Sequence, residues 1–258
     1  PYLNDTDPSY ISQGNSELDS EKSHAFNLSY SNFTQKFNIN LSARYSFTNN
    51  SIENVTKLMP DTEIEGLKNP TGKDVLYSTY ANIGKTRRAS VSAYVNWNAT
   101  PRTRIYMNMS GDYSYMEGSE GMRNDGWSLF AYGGAQQTLP HDWRISLNVF
   151  GQTPWIMLQG KGSSFFDYGL SVNKSFLNKR LTLSAFASNF FKKYMDQSST
   201  TEGAGFIRES SYKYSRQRFG ISVSYRIGEL KASVKKAART ISNDDVKSGG
   251  SGSGGGGE

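Results

Sequence analysis

The sequence has no cysteine, so disulfide bonds, thiolate metal sites and cysteine nucleophiles are all excluded. Apolar residues make up only 36% of the chain, which is little for a large buried core. No apolar run approaches the roughly 18 residues that a membrane-spanning helix needs, and the longest resemble Trp155–Leu158. A membrane is not thereby excluded, because spanning β-strands alternate and hydropathy averages miss them.

Aromatic residues are abundant, at 13% of the chain with 16 Tyr and 14 Phe, which is too aromatic for a disordered segment. A mild net charge of +6 comes from 29 basic and 23 acidic residues that are spread along the chain. A nucleic-acid-binding surface would concentrate the basic residues on one element, so no nucleic-acid partner is expected. The composition favours a sheet with one face in an apolar medium and the other in water.

Period-two alternation is the strongest signal in the sequence. Between residues 37 and 47 the odd positions are apolar and the even positions are polar or charged. A helix would mix these two sets on every face, whereas a strand separates them. The pattern returns within residues 89–97, 105–112, 143–149, 168–173 and 218–227.

These segments predict an all-β antiparallel meander of about nine long strands. The predicted strands lie near 23–31, 36–58, 74–98, 103–116, 127–139, 143–156, 164–177, 180–193 and 206–227. Short connections, around 32–34, 99–102, 140–142 and 178–180, alternate with long polar ones, near 48–73, 117–126, 157–163 and 194–205. Outer-membrane barrels sort their connections in this way, with short periplasmic turns and long external loops.

Paired aromatic residues favour the same reading. Phe37 and Phe47 share a face ten residues apart, as do Phe166 and Phe176. Ten tilted strand residues rise roughly 25 Å, the height of a barrel's lipid-facing band. The alternative is a β-sheet binding or adhesion module, either a soluble β-sandwich or a small closed outer-membrane barrel.

An odd number of strands predicts a partial barrel, because bacterial single-chain barrels have even counts. Since the chain starts at Pro1 with neither a methionine nor a signal peptide, we expect that processing or truncation removed a preceding part. Residues 1–227 are expected to form barrel strands with long external loops, as the closing arc of a larger barrel. Residues 228–258 are expected to form a basic and then Gly/Ser-rich periplasmic tail, largely disordered.

Two segments resemble TonB-dependent outer-membrane receptors. Gly14–His24 is similar to the Gly-Asn-Pro-x-Leu-x-Pro-Glu segment of that family, with Ser16 and Ser20 in place of its prolines. Arg218–Leu230 is similar to the family's last strand. The resemblance implies a 22-stranded barrel, of which this chain would be the last nine strands.

The same resemblance implies partners and a function. They are outer-membrane lipid, an N-terminal plug domain and further strands absent from this chain, and the TonB complex reached through that absent part. A surface lipoprotein is left open as a further partner. The expected function is import of a scarce nutrient across the Gram-negative outer membrane, with the C-terminus periplasmic. No residue selects among a siderophore, a vitamin, a glycan and a peptide.

The chain offers few residues for catalysis. His24 is expected near the external end of the first strand and His141 in a periplasmic turn, so they cannot share a metal or a catalytic dyad. We therefore expect no enzyme activity, no metal and no cofactor.

Binding residues are expected in the external loops, where aromatic and charged side chains could hold a glycan or an iron chelate. These candidates are Trp127, Arg123, Tyr77, Tyr80, Tyr194 and Arg208, with Lys192 and Lys193 beside them. Interfacial anchoring would explain most of the aromatic ones equally well. Four arginines are expected to face the lumen and to pair with plug carboxylates or simply with water: Arg44, Arg144, Arg218 and Arg226.

Overall fold

The computed structural model describes residues 2–228, except the side chain of Glu120. The described residues up to Tyr225 belong to one unit, and Arg226 begins a second. The described residues form strands and two single-turn 3-10 helices, Asp61–Glu63 and Ser119–Gly121. The predicted tail lies outside the described residues from position 229 onward.

In chain order the strands are β1 (Leu3–Asp7), β2 (Tyr10–Gln13), β3 (Lys22–Phe33), β4 (Phe37–Pro60), β5 (Asp74–Thr100), β6 (Thr103–Glu117), β7 (Arg123–Leu139), β8 (Trp143–Gln152), β9 (Ile156–Met157), β10 (Gly160–Lys161), β11 (Phe165–Phe176), β12 (Leu181–Ser188), β13 (Tyr194–Gly203), β14 (Phe206–Ser215) and β15 (Arg218–Tyr225).

Nine of these strands form one continuous antiparallel meander. Its order is β3-β4-β5-β6-β7-β8-β11-β12-β15, and each strand pairs with the next. The predicted all-β meander of nine strands is therefore confirmed. With 24 and 27 residues, β4 and β5 are several times longer than an average soluble strand and project beyond their neighbours.

Cross-strand register puts the apolar residues of neighbouring strands on one face. Leu41, for example, pairs with Tyr30 on one side and with Ala93 on the other. This apolar face stays open, with Leu28 75% and Ile221 82% exposed. Over these positions the described residues provide no second layer of the kind that fills a β-sandwich core. An apolar face of this extent needs an apolar medium.

All the short connections lie at one end of the sheet, here called the turn end, and the long ones at the other, here called the loop end. The β7–β8 turn shows how tight the turn end is, since His141 and Asp142 both adopt left-handed backbone conformations (φ 60° and 58°). The predicted alternation of short and long connections is thus present in the structure.

Aromatic residues lie on the apolar face near both ends. Toward the turn end these are Phe37, Trp97, Trp143, Phe176 and Tyr225, and toward the loop end they are Phe47, Tyr113, Trp127 and Phe166. About ten residues separate the two groups along a strand, which corresponds to roughly 25 Å for tilted strands. We refer to them as the turn-end girdle and the loop-end girdle.

The last predicted strand, 206–227, is wrong in its extent. Residues 206–215 leave the meander and pair with β13 in a hairpin that runs from Tyr194↔Ser215 to Gly203↔Phe206. The ninth strand of the meander is the shorter β15. A tight turn at Gly205 (φ 80°) lets the chain reverse there. The predicted loop 194–205 and the first ten residues of the predicted strand therefore form the two strands of one hairpin.

The meander is open at both edges within the described residues. There β3 pairs only with β4, and β15 pairs only with β12. Each of these strands therefore presents a row of unpaired backbone groups. In a membrane those groups need partners, so such a sheet is compatible with part of a larger barrel.

The buried apolar side chains lie at the loop end and not in the middle of the sheet. They are Ile11, Ile64, Val75, Met116, Ile156 and Leu158. The loop end is therefore an ordered assembly with a small core of its own. We give the name loop-end assembly to β1, β2, β9, β10, β13, β14 and residues 50–84.

Candidate functional site

The polar face of the meander carries hydroxyl, amide and charged side chains, and also a cluster of aromatic rings. Ser42 and Ser92 share a hydrogen bond across β4 and β5 at 2.6 Å. Farther along the sheet the Tyr106 and Tyr132 ring centroids are 5.8 Å apart. Phe150 continues the cluster, 6.5 Å from Tyr132. The polar face therefore offers both hydrogen-bonding groups and flat apolar surfaces.

A glycine makes room for the first ring of this cluster. Tyr106 lies over Gly134, where a Cβ would come within 2.5 Å of the Leu147 carbonyl oxygen and 2.6 Å of the Tyr106 hydroxyl oxygen. From this position the Tyr106 hydroxyl donates a hydrogen bond to Asn148 Oδ1 on β8. Close approach of this kind is a usual reason for glycine inside a strand.

An ion pair borders the same face near the loop end. The Arg216 guanidinium donates two hydrogen bonds to the Asp167 carboxylate, one of them from Nε to Oδ1 at 3.1 Å. Asn189, which is buried, donates from Nδ2 to the same oxygen at 2.7 Å. Its own Oδ1 accepts the backbone N–H of Tyr168 at 3.2 Å. Asn189 thereby ties the end of β12 to β11 and holds the ion pair in place.

These groups enclose a cavity of about 290 Å³ on the sheet. Its lining includes Tyr132, Asn148, Phe150, Asp167, Arg216 and Arg218. The cavity combines ring faces, an amide, a paired carboxylate and guanidinium groups, which is the chemistry that orients a small polar ligand.

The loop between β8 and β11 folds onto the polar face. Asn124 Nδ2 donates hydrogen bonds to the carbonyl oxygens of Met157 (2.7 Å) and Gly160 (2.8 Å). Ile156 of the same loop packs over Gly126, where a Cβ would lie 2.9 Å from its Cδ1 atom. The loop therefore covers the loop end of β6 and β7 on the polar side.

The tip of this loop is bound to a distant strand. Gln159 Oε1 accepts the backbone N–H of Thr56 at 2.7 Å, and its Nε2 donates to the Thr56 carbonyl oxygen at 2.9 Å. Both residues are buried. The Gln159 amide thus pairs with the backbone N–H and carbonyl of β4 as a neighbouring strand would. It does so beyond Asn49, where the pairing of β4 with β3 has ended.

The β1–β2 hairpin packs against the projecting part of β5. β2 pairs with β5 in parallel from Tyr10↔Leu76 to Ser12↔Ser78. Ile11, Ile64 and Val75 form the buried cluster between these elements. The projecting β4–β5 hairpin is therefore held by β2 on one side and by the Gln159 loop on the other.

Asp61 closes the tip of that hairpin. Its carboxylate accepts the backbone N–H of Thr71 (2.6 Å), the Thr71 hydroxyl (2.8 Å) and the backbone N–H of Gly72 (2.8 Å). These hydrogen bonds, the one from the Thr71 backbone N–H foremost, lower the pKa of Asp61 below its ordinary value, although burial opposes the shift. The ionised carboxylate is the form that the tip requires.

A second cavity lies at the turn end and is basic. About 650 Å³ in volume, it is lined by Lys36, Arg102, Arg104 and Arg144 together with neutral residues, and no carboxylate is among its lining residues. Arg104 donates from Nε to Asn96 Oδ1 at 2.6 Å. This cavity suits an anionic group.

The structure distributes the predicted external binding residues over different surfaces. Trp127 lies on the apolar face against Tyr113 (5.4 Å between ring centroids), and Arg123 lies on that face over the Tyr115 ring at 4.8 Å. This position of Trp127 suits interfacial anchoring. The ligand contacts predicted for both residues stay predictions.

The other external candidates belong to the loop-end assembly. The Tyr77 hydroxyl donates to Gln13 at 2.8 Å, and the Tyr80 carbonyl oxygen accepts from Asn15 at 2.9 Å. Arg208 stacks on the Tyr10 ring at 3.9 Å. The Tyr194 ring lies 5.3 Å from the ammonium of Lys193 and 6.0 Å from that of Lys213, and the Lys192 ammonium is 3.9 Å from the Asp196 carboxylate. The structure does not gather these residues into one pocket, and their ligand role also stays a prediction.

Three of the four predicted lumen arginines lie on the polar face. Arg44 pairs with Ser90, Arg144 lines the basic cavity and Arg218 lines the smaller cavity. Arg226 follows β15 and belongs to the second unit. Histidines 24 and 141 lie toward opposite ends of the sheet, as expected.

Sequence reasoning missed the aromatic cluster, the Asp167–Arg216 pair and Gln159. A partial signal exists where two bulky residues are adjacent and one must face the polar side, as at Val149–Phe150 and Phe165–Phe166. No local signal points to Gln159, because its partner is 103 residues away.

A wide antiparallel meander with one exposed apolar face, one polar face and connections sorted by length defines an outer-membrane β-barrel protein. The model of the Outer membrane protein beta-barrel family matches residues 1–225, and the chain belongs to this family. No curated protein and no solved structure matches it. The apolar face is accordingly the lipid-facing surface, and the polar face is the lumenal one.

Neither a helical membrane span nor a metal-binding cluster occurs in the described part of the chain. No helix within residues 2–228 is long and apolar enough to cross a membrane, which has no bearing on strands. Over the same residues no three His, Cys, Asp or Glu side chains gather in a way that could hold a metal ion.

Proposed function

We propose that this chain forms the C-terminal arc of the barrel of a TonB-dependent transporter, which imports a scarce nutrient such as a siderophore, a vitamin, a glycan or a peptide. The observation that carries the proposal is the folding of the β8–β11 loop onto the loop end of the lumenal face. There Gln159 links the β8–β11 loop to β4, and a cavity with polar and aromatic lining lies on the same face. An ordered, partly closed mouth suits selective capture better than free diffusion through an open pore.

The connection between β2 and β3 supports the resemblance to that family. Residues 14–21 lead from the β1–β2 hairpin at the loop end directly into β3. The resembling segment of TonB-dependent receptors likewise leads from an external loop into a barrel strand. In this orientation the loop end faces the outside, and the turn end and the C-terminus face the periplasm.

The basic cavity at the turn end supports a role for a plug domain. Lys36, Arg102, Arg104 and Arg144 face a space that no carboxylate lines. Acidic groups of a plug, or of the segment that reaches the TonB complex, would neutralise them. The transporter uses no catalytic residue, metal or cofactor of this chain.

The test is uptake by cells that express the full-length protein, with TonB present or deleted. A panel of an iron chelate, cobalamin, an oligosaccharide and a peptide is offered at limiting concentration. We expect at least one ligand to require both the protein and TonB. Uptake that is equal without TonB would identify a passive pore and overturn the proposal, as would uptake that never depends on the protein.

A second measurement tests the plug. Arg104→Gln with Arg144→Gln removes two of the four cations of the basic cavity. It should loosen the plug and increase entry of a large antibiotic that the outer membrane normally excludes. Lys57→Gln with Lys161→Gln at the loop end is the matched control. Equal antibiotic entry in both double variants would contradict this role of the cavity.

A further inference from the structure

The lipid-facing surface carries cations just beyond the loop-end girdle. Cross-strand register aligns Phe47, Arg87 and Tyr115 in one row on this surface. Arg123, also on this surface, lies over the Tyr115 ring at 4.8 Å. Tyr115 is thus flanked by two guanidinium groups that project away from the lumen. We call Arg87, Tyr115 and Arg123 the rim patch.

The rim patch lies at the depth of lipid headgroups. Tyr115 is two residues beyond Tyr113 of the girdle, and Arg123 is four residues beyond Trp127. At about 3.3 Å per residue and a tilt of about 40°, these steps correspond to heights of roughly 5 and 10 Å. Headgroups occupy a layer of roughly 5–8 Å on each side of the hydrocarbon core. The girdle therefore marks the edge of the hydrocarbon. Arg87, in the row of Tyr115, lies in the polar layer above that edge, and Arg123 lies just above this layer with its guanidinium over the Tyr115 ring.

Arginine in this layer is suited to phosphate. Its planar fork makes two parallel hydrogen bonds to phosphate oxygens, and stacking on a ring holds the fork in one orientation. The side chain of Arg87 is exposed and forms no ion pair within residues 2–228. Lys85 follows one row farther out and adds a third cation.

The carboxylates near the rim patch do not neutralise it. Asp125 is 3.8 Å from Arg123 in an exposed pair, which is a weak interaction, and it also accepts the Tyr113 hydroxyl at 2.8 Å. Glu117 pairs across the strands with Lys85 on one side and with Arg123 on the other. Three cations against two carboxylates leave a net positive charge beside the exposed Arg87.

We propose that the rim patch binds the phosphorylated headgroup of a membrane lipid in the outer leaflet. Arg87 and Arg123 hold the phosphate from two sides of Tyr115, while the acyl chains lie along the apolar face below Trp127. The inference rests on the orientation proposed above, in which the loop end faces outward. This part of the lipid-facing surface would then have a defined binding site for a lipid headgroup, in addition to its apolar contacts with acyl chains.

The experiment measures lipid retention by the full-length protein in detergent, by native mass spectrometry. Bisphosphorylated lipid A and its dephosphorylated form are the two probes. The test variant is Arg87→Gln with Arg123→Gln. The matched control is Arg44→Gln with Arg88→Gln, since Arg88 is the next residue along β5 and faces the lumen. Each cation near a phosphate is worth about fivefold in affinity, so the test variant should bind bisphosphorylated lipid about 25-fold more weakly.

Three results would overturn the inference: affinity within twofold of the unchanged protein in the test variant, equal affinity for the dephosphorylated lipid, or an equal loss in the control. Displacement of the lipid by millimolar inorganic phosphate would instead identify a free-anion site, and this too would contradict it. Arg87→Lys keeps the charge without the fork and should show an intermediate loss, which separates recognition from misfolding. If the unchanged protein imports its ligand but does not retain the bisphosphorylated lipid, this inference alone is overturned. If it retains the lipid but shows no TonB-dependent uptake, only the transport proposal is overturned.

Discussion

The nine-strand meander and the loop-end assembly are stabilised in different ways. In the meander each strand forms hydrogen bonds with the meander strands before and after it. Successive side chains alternate between the lipid-facing and the lumenal surface, as Leu41 and Ser42 do. In the loop-end assembly the contacts join segments that are far apart, as between Gln159 and Thr56. The meander therefore relies on a repeated pattern and its medium, whereas the loop-end assembly relies on a few particular hydrogen bonds and a small buried core.

The difference has a physical origin. Lipid supplies the apolar surroundings of the meander, so its side chains need no exact partner. The loop-end assembly lies beyond the girdle and has to bury its own apolar groups, such as Ile11 and Val75. Substitutions should accordingly follow the facing direction in the meander and the individual contact in the loop-end assembly.

The largest expected effect is on the lipid face. Leu41→Arg puts a charge near the middle of the lipid-facing band and should lower the free energy of unfolding by about 2–4 kcal/mol. Ser42→Arg, one residue along, points into the lumen and should cost much less, although it loses the bond to Ser92. Urea titration of folded protein in micelles measures both. Equal costs would contradict the assignment of faces.

The next effect concerns the contact between Gln159 and β4. Gln159→Ala leaves the buried N–H and carbonyl of Thr56 without these partners and should destabilise the loop-end assembly by about 2–3 kcal/mol. Hydrogen exchange of residues 153–163 and 54–58 should become faster, while exchange in β11 and β12 stays unchanged. Gln35→Ala, at an exposed position of the turn end, is the control. Slow exchange at Thr56 in the Gln159 variant would show that another group can replace the amide.

Most of the meander could be predicted from the sequence because its information is local. Alternation at 37–47 separates the two faces without knowledge of any partner strand. The prediction is wrong at 206–215, which lies before the alternating residues 218–227 and pairs with β13 outside the meander. A local sequence pattern identifies a strand but does not determine which sheet the strand joins.

The candidate site was predictable only in part, for a related reason. Arg44, Arg144 and Arg218 reach the lumen because their position in the period determines their face. The role of Tyr106 depends on its contact with Asn148, which comes much later in the chain. The role of Gln159 depends on its contact with Thr56, which comes much earlier. Such contacts follow from the fold and leave no signature around either residue.

A smaller effect tests whether the stability of the meander depends on individual side-chain contacts. Gly134→Ala forces a Cβ against the Leu147 carbonyl oxygen and the Tyr106 ring, and should cost about 1–3 kcal/mol. Gly169→Ala, also on the lumenal face, meets nothing closer than 3.4 Å and should change stability little. The same urea titration compares the two. A similar small change in both would mean that the Tyr106 ring can move without loss.

The smallest effect is confined to the tip of the β4–β5 hairpin and depends on pH. Because the folded state lowers the pKa of Asp61, the carboxylate stabilises the tip fully above the unfolded value of about 3.9, and this contribution is lost as the pH falls through the lower folded value. Hydrogen exchange at Thr71 and Gly72 should therefore lose protection only on strong acidification, after correction for the intrinsic rate. Asp61→Asn removes the titrating group, so any protection that remains should no longer change over that range. If protection varies identically with pH in both proteins, a group other than Asp61 causes the pH dependence. The tip would then be stabilised by the apolar contacts of Ile64 and not by the Asp61 carboxylate.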